Sequence, residues 1–297
     1  MPSTDVLAPI GGDRLDAELA GLDALELSLE RRRTPAARLW AALWPKLMAT
    51  AIFFAAWQIV VWTGWKPEYL LPGPMEVLET LFDNLDTLIP AAGTTLWRAV
   101  QGFALAVVIG SVVGALVARN RVLRAGIGSM ITGLQTMPSI AWFPLAILVF
   151  KLTEGAILFV VVLGAAPSIA NGLISGIDNI PPLVLRAGRV LGARGWRSFR
   201  YVILPAALPS FVGGLKQGWA FAWRSLLAGE LLVLIPGQHS LGEQLELNQQ
   251  FADAAGLIAT MIVIFVVGAT VDALVFGTAD RWVRRRYGLI EEATPAA

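Results

Sequence analysis

Cysteine is absent from the 297-residue chain, histidine occurs once, and only 15% of the residues are charged. Without cysteine the chain can hold no disulfide, no thiolate nucleophile and no cysteine-rich metal site. The one histidine, His239, cannot by itself form a zinc site or a catalytic triad, and its position in a polar loop favours a solvated side chain. The sequence therefore indicates no metal and no cofactor bound by this chain.

Motifs for nucleotide binding and hydrolysis are missing as well. The sequence has no Gly-Lys dipeptide, so it contains no Walker A loop and does not bind ATP through a P-loop of its own. Neither Gly-x-Ser-x-Gly nor His-Glu-x-x-His occurs. We therefore expect no catalytic residues and no enzyme activity in this chain.

Apolar residues, in contrast, make up 56% of the chain, and the mean hydropathy is +0.65. A helix needs about 20 apolar residues to cross a bilayer, and backbone groups in lipid must be satisfied within the helix. Six apolar runs are long enough to suggest spans, so we predict an all-α membrane protein with six transmembrane helices. The runs are 47–62, 96–117, 126–150, 155–177, 208–234 and 254–276.

The basic residues are distributed unevenly between the two sides predicted for these runs. They cluster before the first run and after the second, fourth and sixth, whereas the alternate loops hold only Lys66, Arg98 and Lys151 beside many acids. By the positive-inside rule, both termini are expected in the cytoplasm. The net charge of +1 gives no overall basic field of the kind that would indicate nucleic acid.

The predicted membrane domain, 39–286, lies between two polar segments. Residues 1–38 lack the layout of a signal peptide, so we expect a cytosolic N-terminal extension, and 287–297 a cytosolic tail. Within the extension, LDALELSLERRR fits either an amphipathic helix on the bilayer surface or a loose solvated segment.

Two local features of the apolar runs predict how the helices pack. Glycines recur four residues apart at 110 and 114, 172 and 176, and 214 and 218, which favours close packing within one bundle over a dedicated dimer face. Pro138 and Pro144 fall in the third run and should kink or break that helix. The kink either lines a pathway or only serves packing.

The polar loop 178–205 has the pattern of a short amphipathic helix. Pro181 and Pro182 suit a helix start, apolar residues follow at helical spacing, and Gly192 or Gly195 suits its end. The next membrane helix is expected to begin at Pro205. Such a helix either offers an apolar surface to a soluble partner or lies on lipid headgroups.

The stretch RAGRVLGARGWRSFRYVILP, residues 186–205, resembles the EAA loop of binding-protein-dependent ABC importer permeases. Ala187, Gly192, Val202, Leu204 and Pro205 match that pattern. Two positions depart from it, because Arg186 stands where the family has glutamate and Gly188 where it has a second alanine.

Further blocks resemble the nitrate, sulfonate and taurine group of these permeases, in the right order. They are LLPGP, TLWRAVQGF, QTMPSIAWFPLAIL, GLISGIDNIPP and AWRSLLAGELL, between about residues 70 and 286. The resemblance implies a type I importer permease in the bacterial inner membrane, working as a homodimer. It also implies two cytosolic ATPase subunits, which bind ATP and Mg, and an extracytoplasmic substrate-binding protein.

By this resemblance the loop helix is a coupling helix that contacts the ATPase. The residues assigned to this coupling surface are Arg186, Ala187, Arg189, Leu191, Gly192, Ala193, Arg194, Arg197, Leu204 and Pro205. The small residues permit close approach, and the arginines can pair with acids or carbonyl groups of the partner.

Ionisable residues inside a membrane run usually face a cavity or a partner, and the fifth run holds Lys216, Arg224 and Glu230. They could form a cationic stripe that attracts an anion, or pair structurally, for instance Arg224 with Asp272 or with helix carbonyls. The residues predicted to line the translocation pathway are Pro138, Ser139, Trp142, Lys216, Trp219, Arg224 and Glu230, with Trp223 a further candidate.

Within the group, the expected substrate is taurine or an alkanesulfonate. Nitrate, bicarbonate and a thiamine-precursor pyrimidine are the alternatives. A secondary transporter is a rival class, but it should show ion-coupling acids or histidines in mid-membrane and an internal inverted repeat, and neither is detected.

Overall fold

The computed structural model describes residues 35–288. Within that range the chain consists of helices joined by turns and short loops, and it contains no strand. It divides into two units, one ending at Thr63 and the other beginning at Gly64. The described part of the first unit is one helix, α1 (Pro35–Trp62), whose stretch Leu43–Trp62 is long and apolar enough to span a membrane. The amphipathic segment predicted at 22–33 and most of the predicted tail lie outside the described residues.

The second unit contains nine further helices between 64 and 288. They are α2 (Pro74–Asp83), α3 (Leu85–Arg119), α4 (Arg121–Thr136), α5 (Phe143–Phe150), α6 (Glu154–Asp178), α7 (Pro182–Val190), α8 (Trp196–Leu232), α9 (Leu241–Gln250) and α10 (Ala254–Arg286). With α1, the helices α3, α6, α8 and α10 make five candidate membrane spans in the described chain. The bent pair α4 and α5 forms a sixth candidate span if the two helices count as one span. The described chain has helices and no strand, which confirms the all-α class.

The third predicted run is broken rather than continuous. The segments Val122–Thr136 and Ser139–Phe150 meet at 105°. Pro138 adopts an extended conformation at the break, and a short 3-10 turn, Ser139–Trp142, leads into α5. Pro144 lies in the first turn of α5, where its missing N–H has no intrahelical acceptor to lose. The predicted disruption is therefore confirmed at Pro138, whereas Pro144 starts a helix instead of kinking one.

The core of the second unit is built around α6, which packs between α3 and α8. A Cβ on Gly110 of α3 would lie 2.7 Å from the carbonyl oxygen of Ala166 in α6. A Cβ on Gly172 of α6 would lie 2.6 Å from the Cα of Gly214 in α8. The paired glycines thus serve close packing within the bundle, which confirms the favoured interpretation of their spacing.

Two adjacent glycines of α8 allow a matched test of this packing. A Cβ on Gly214 would meet the Cα of Gly172 at 2.8 Å, whereas one on Gly213 has nothing within 4 Å. We expect Gly214→Ala to destabilise the protein by about 1–3 kcal/mol through overpacking. Gly213→Ala should be neutral or stabilise it by about 0.5–1 kcal/mol, because alanine is the better helix former. Thermal unfolding of the two variants in detergent measures the difference, and equal midpoints would contradict the tight α6–α8 contact.

The start of the fifth span differs from the prediction. The helix begins at Trp196 rather than at Pro205, and passes through a π-helical turn, Phe199–Ile203, into the α-helical stretch Leu204–Leu232. Proline in an α-helix clashes with the carbonyl group four residues earlier. The wider π turn directly before Pro205 gives the ring room, so the helix continues through the proline. As a result, α8 connects the α7 loop to the opposite end of the bundle without interruption.

Candidate functional site

The loop that carries α7 folds largely as its sequence predicts. Pro182 is the first residue of the helix, and the chain leaves it through Gly192 at φ +81° and Gly195 at φ +57°. These left-handed conformations favour glycine. Gly188 is buried, and a Cβ there would approach Cγ2 of Val202 to 2.8 Å. The departure from the EAA pattern at Gly188 therefore has a packing reason, since α7 lies directly against the π turn.

The tip of the loop exposes apolar and basic side chains together. Val190 and Leu191 are each 87% exposed, and Trp196 is 70% exposed. Of the residues assigned to coupling, Arg186, Ala187, Arg189, Leu191, Gly192, Arg194 and Arg197 are exposed, whereas Ala193, Leu204 and Pro205 are half-buried. Within residues 35–288, no carboxylate lies in ion-pair distance of Arg186, Arg194 or Arg197. An exposed apolar tip surrounded by unneutralised cations is the surface expected of a docking site for a protein.

Contacts behind the tip attach the loop to the bundle. Arg124 of α4 and Asp178 at the end of α6 form an ion pair of 2.8 Å. The guanidinium of Arg119 lies 5.9 Å from the ring centroid of Phe199, and Trp196 stacks on the same ring. Force applied to the loop would therefore reach α8 at its first turn.

A cavity of about 360 Å³ lies at the break between α4 and α5. Pro138, Ser139, Trp142 and Arg224, four of the residues predicted to line a pathway, lie in its wall. Gln135 adds an amide, and none of the described residues that line the cavity carries a carboxylate. A cavity with a guanidinium, a hydroxyl and an amide but no acid suits an anion better than a cation.

Arg224 is exposed on α8 and has no acidic partner in the described part of the chain. Its Nε donates to the carbonyl oxygen of Ala220 at 3.0 Å, and its guanidinium lies 4.9 Å from the ring centroid of Phe221. The suggested pairing with a helix carbonyl is thus confirmed. Pairing with Asp272 is wrong, because that carboxylate lies 3.5 Å from Nζ of Lys216.

The wall of the cavity is held together by small polar residues. Ser225 of α8 donates to Oγ of Ser139 at 2.8 Å, which connects α8 to the break. A Cβ on Gly164 of α6 would lie 2.5 Å from Oγ of Ser225. Gln135 donates to Oγ of Ser168 at 3.1 Å. These contacts fix the broken span in place, so the break is a defined structural feature next to Arg224.

Three residues of the predicted pathway lie elsewhere. Trp219 is buried and stacks on Phe276 in the core. It therefore does not lie at the membrane–water interface, where tryptophan is often found. Trp219, with Trp223, also borders an apolar groove between α8 and α10 that ends at Asp272, the partner of Lys216. The side chain of Glu230 is fully buried. The pathway roles of Lys216, Trp219 and Glu230 stay predictions. The burial of Glu230 does not support a role in lining the pathway.

Glu230 instead forms a buried ion pair with Arg98 of α3, at 3.0 Å between Oε1 and Nη1. The assignment of Arg98 to a loop is wrong, because α3 begins at Leu85 and places Arg98 well inside the helix. Sequence reasoning missed the pair although a signal was present. Both residues lie in apolar runs, where an ionisable side chain requires a partner.

The fold is that of a helical membrane protein with an exposed, basic loop between two of its candidate spans. Residues 88–285 match the family described as the binding-protein-dependent transport system inner membrane component. The chain belongs to this family of ABC transporter permeases, which are transport components and not enzymes.

Relatives from bacteria are similar over most of the chain. A Brucella melitensis protein named as a probable ABC transporter permease is 30% identical, covering 79% of this chain and 94% of that protein. SsuC of Bacillus subtilis, provisionally named as an aliphatic sulfonates transport permease, is 27% identical over 78% of this chain and 84% of its own length. The bicarbonate transport permease CmpB of Synechococcus elongatus is 29% identical, with 78% and 86% covered.

Among solved structures, a chain of the inward-facing MetNI methionine ABC transporter is similar in fold. The TM-score is 0.57 at 20% sequence identity, and the match covers 68% of this chain and 97% of the other. This likeness confirms the fold of a type I importer permease.

Proposed function

We propose that this chain is the transmembrane subunit of an ATP-driven importer that moves a small anionic or zwitterionic solute inward. The observation that carries the proposal is the α7 loop, which exposes an apolar, basic tip and continues without a break into α8. A soluble ATPase bound at the tip would act directly on a helix that borders the cavity. The chain itself performs no chemistry in this scheme, and ATP and Mg are bound by the partner.

The distribution of charge supports an orientation with the α7 loop in the cytoplasm of a bacterial cell. The ends of α3 and α10 next to that loop carry Arg119 and Arg284 to Arg286. The opposite end carries acids at the starts of α2, α3, α6 and α9. Because basic residues are retained in the cytoplasm, the end of α10 lies inside in this arrangement, and the basic residues before the first span favour the same side for the N-terminus.

The assembly proposed is a homodimer of this chain with two ATPase subunits and an extracytoplasmic substrate-binding protein. Family membership and the unneutralised arginines of the loop support the ATPase contact. The opposite end of the bundle would receive the binding protein, which supplies most of the affinity for the solute.

Taurine or an alkanesulfonate is the proposed substrate. Arg224 and the absence of acids among the described residues of the cavity wall favour an anion, and SsuC is a relative named for sulfonates. Relatives named for bicarbonate and nitrate support those anions equally. A thiamine-precursor pyrimidine has no such support, and the family match disfavours a secondary transporter.

Co-purification tests the proposed assembly. We expect an ABC ATPase to be retained by the tagged chain and lost when 186–200 are replaced by a Gly-Ser segment of equal length. A Gly-Ser replacement of the exposed residues 249–252, at the other end of the bundle, is the control and should retain the ATPase. Retention by both variants, or by neither, would contradict docking at the α7 loop.

The solute is tested on the binding protein that is captured with the complex. Taurine, an alkanesulfonate, nitrate, bicarbonate, a thiamine-precursor pyrimidine and a cationic solute are added separately, and the thermal shift of the binding protein is measured. A specific ligand stabilises the folded state by mass action, by about 2.7 kcal/mol at one hundred times its Kd. Stabilisation by a cation or by a pyrimidine alone would contradict an anion importer.

A further inference from the structure

A cluster of polar side chains, centred on the buried Arg98 and Glu230, joins four elements at the end of the bundle opposite the α7 loop. Arg98 of α3 pairs with Glu230 of α8 at 3.0 Å, and its Nε lies 3.4 Å from Glu154 at the start of α6. Its Nη2 donates to the side chain of Gln238, just before α9. Arg98 is 3% exposed and Glu230 is 1% exposed. Every charge in this cluster is paired, as a low-dielectric environment requires.

The same cluster caps the N-terminus of α9. The N–H of Leu241 donates to Oγ1 of Thr95 at 2.9 Å, and that of Gly242 to Oε2 of Glu230 at 3.2 Å. The hydroxyl of Thr95 in turn donates to Oε2 of Glu230 at 2.9 Å. The first N–H groups of a helix have no partner within it. In α9 two of them are satisfied by side chains of α3 and α8, so these two helices fix its position.

Close approach of the backbone is part of this attachment. A Cβ on Gly242 would lie 2.3 Å from Cβ of Glu230, so only glycine allows α9 to start this near to α8. The two remaining N-terminal amides, those of Ser240 and Glu243, donate to each other's side chains in a capping box within α9 itself. The capping box alone would therefore be enough to start α9. The hydrogen bonds that Thr95 and Glu230 accept from α9 connect it in addition to α3 and α8.

We infer that Thr95 and Glu230 are positioning residues that join α9 to α8, so that docking of the binding protein on α9 is transmitted to the α7 loop. The inference rests on the proposed function. From Trp196 to Glu230 the helix α8 extends about 50 Å at 1.5 Å per residue. It has the docking loop at one end and the joint at the other. At the tip of α9, Gln249, Gln250 and Phe251 are exposed and available to a partner.

Two matched pairs of variants separate the joint from the ion pair. Arg98→Met with Glu230→Gln removes both charges but keeps an oxygen that accepts from Gly242. Arg98→Met with Glu230→Met removes the charges and that oxygen at similar size. Likewise, Thr95→Ser keeps the hydroxyl that bonds Leu241, and Thr95→Val removes it at the same shape.

The measurement is the ratio of ATPase rates with and without the purified binding protein, in proteoliposomes supplied with MgATP. We expect Thr95→Val and the variant with Arg98→Met and Glu230→Met to lower this ratio about fivefold, the factor for the one buried hydrogen bond to α9 that each of them loses. Their basal rates should stay near wild type. Thr95→Ser and the variant with Arg98→Met and Glu230→Gln should keep the wild-type ratio. If the cluster had only a structural role, the two members of each pair would not differ in this ratio.

An unchanged ratio in all four variants would overturn the joint while leaving the proposed function intact. A parallel fall of basal and stimulated rates, with a lower melting temperature, would also overturn it and assign the cluster to stability alone. If the wild-type chain retains no ATPase or shows no stimulation, the proposed function fails, and the joint with it.

Discussion

Replacing Gly192 by aspartate is expected to abolish uptake while the protein is still made and inserted. Gly192 lies at φ +81° in the tip of the α7 loop, and a Cβ there has nothing within 4 Å in this chain. The added carboxylate therefore enters open space at the exposed tip, within the surface proposed for the ATPase. The added carboxylate competes with the partner for the neighbouring arginines, and disrupting a buried interfacial charge pair costs about 2–5 kcal/mol, which weakens docking by about thirtyfold or more. Uptake of labelled taurine or nitrate and the amount of chain in the membrane are measured together.

Backbone strain must be separated from this effect, because a left-handed conformation disfavours most residues. Gly64 is a matched control, since it lies at φ +65° with nothing within 4 Å and is outside the loop. Gly64→Asp should leave uptake near wild type. Gly192→Asn has the same shape as aspartate and tolerates φ above zero, so it isolates the charge. Normal uptake by Gly192→Asp would remove Gly192 from the ATPase contact.

The parts of the fold that sequence predicts well depend on local patterns. The apolar runs identify α1, α3, α6, α8 and α10 because each span must satisfy its own backbone. Pro138 predicts a break because proline restricts its own φ, and Gly192 predicts a loop turn because glycine can adopt a positive φ. The α7 helix and the glycine contacts of α6 follow from spacing in the same way.

The errors lie where distant residues decide the structure. A short periodic pattern could not show that α8 continues through Pro205, because a π turn depends on tertiary packing. Arg98 and Glu230 are 132 residues apart in sequence, so their pairing is invisible to local patterns. The same holds for Lys216 and Asp272, whose contact leaves Arg224 as the cation of the cavity. Helix assignment in this chain is local, whereas its electrostatic pairing is not.

Arg224→Gln is expected to impair anion uptake more than any other single change in the cavity. Among the described residues of the wall, the guanidinium of Arg224 is the one cationic group, and no carboxylate neutralises it. A hydrogen bond to a charged group contributes about 1.5–3 kcal/mol, so losing it should weaken transient anion binding by about tenfold to a hundredfold. Arg224→Lys should retain part of the activity, because it keeps the charge but not the planar fork of donors. Concentration-dependent uptake of taurine, nitrate and bicarbonate measures the change.

Lys216→Gln provides the matched control for a cation on the same helix. Its ammonium group pairs with Asp272 and is absent from the wall of the cavity, so its loss should leave the substrate concentration for half-maximal uptake unchanged. If the two glutamine variants lose uptake equally, the general positive charge of α8 matters and the cavity position does not. If Arg224→Gln transports each anion as well as wild type, the cavity at the broken span is not the anion pathway. The difference between Arg224 and Lys216 therefore decides whether the break at Pro138 forms part of the transport route.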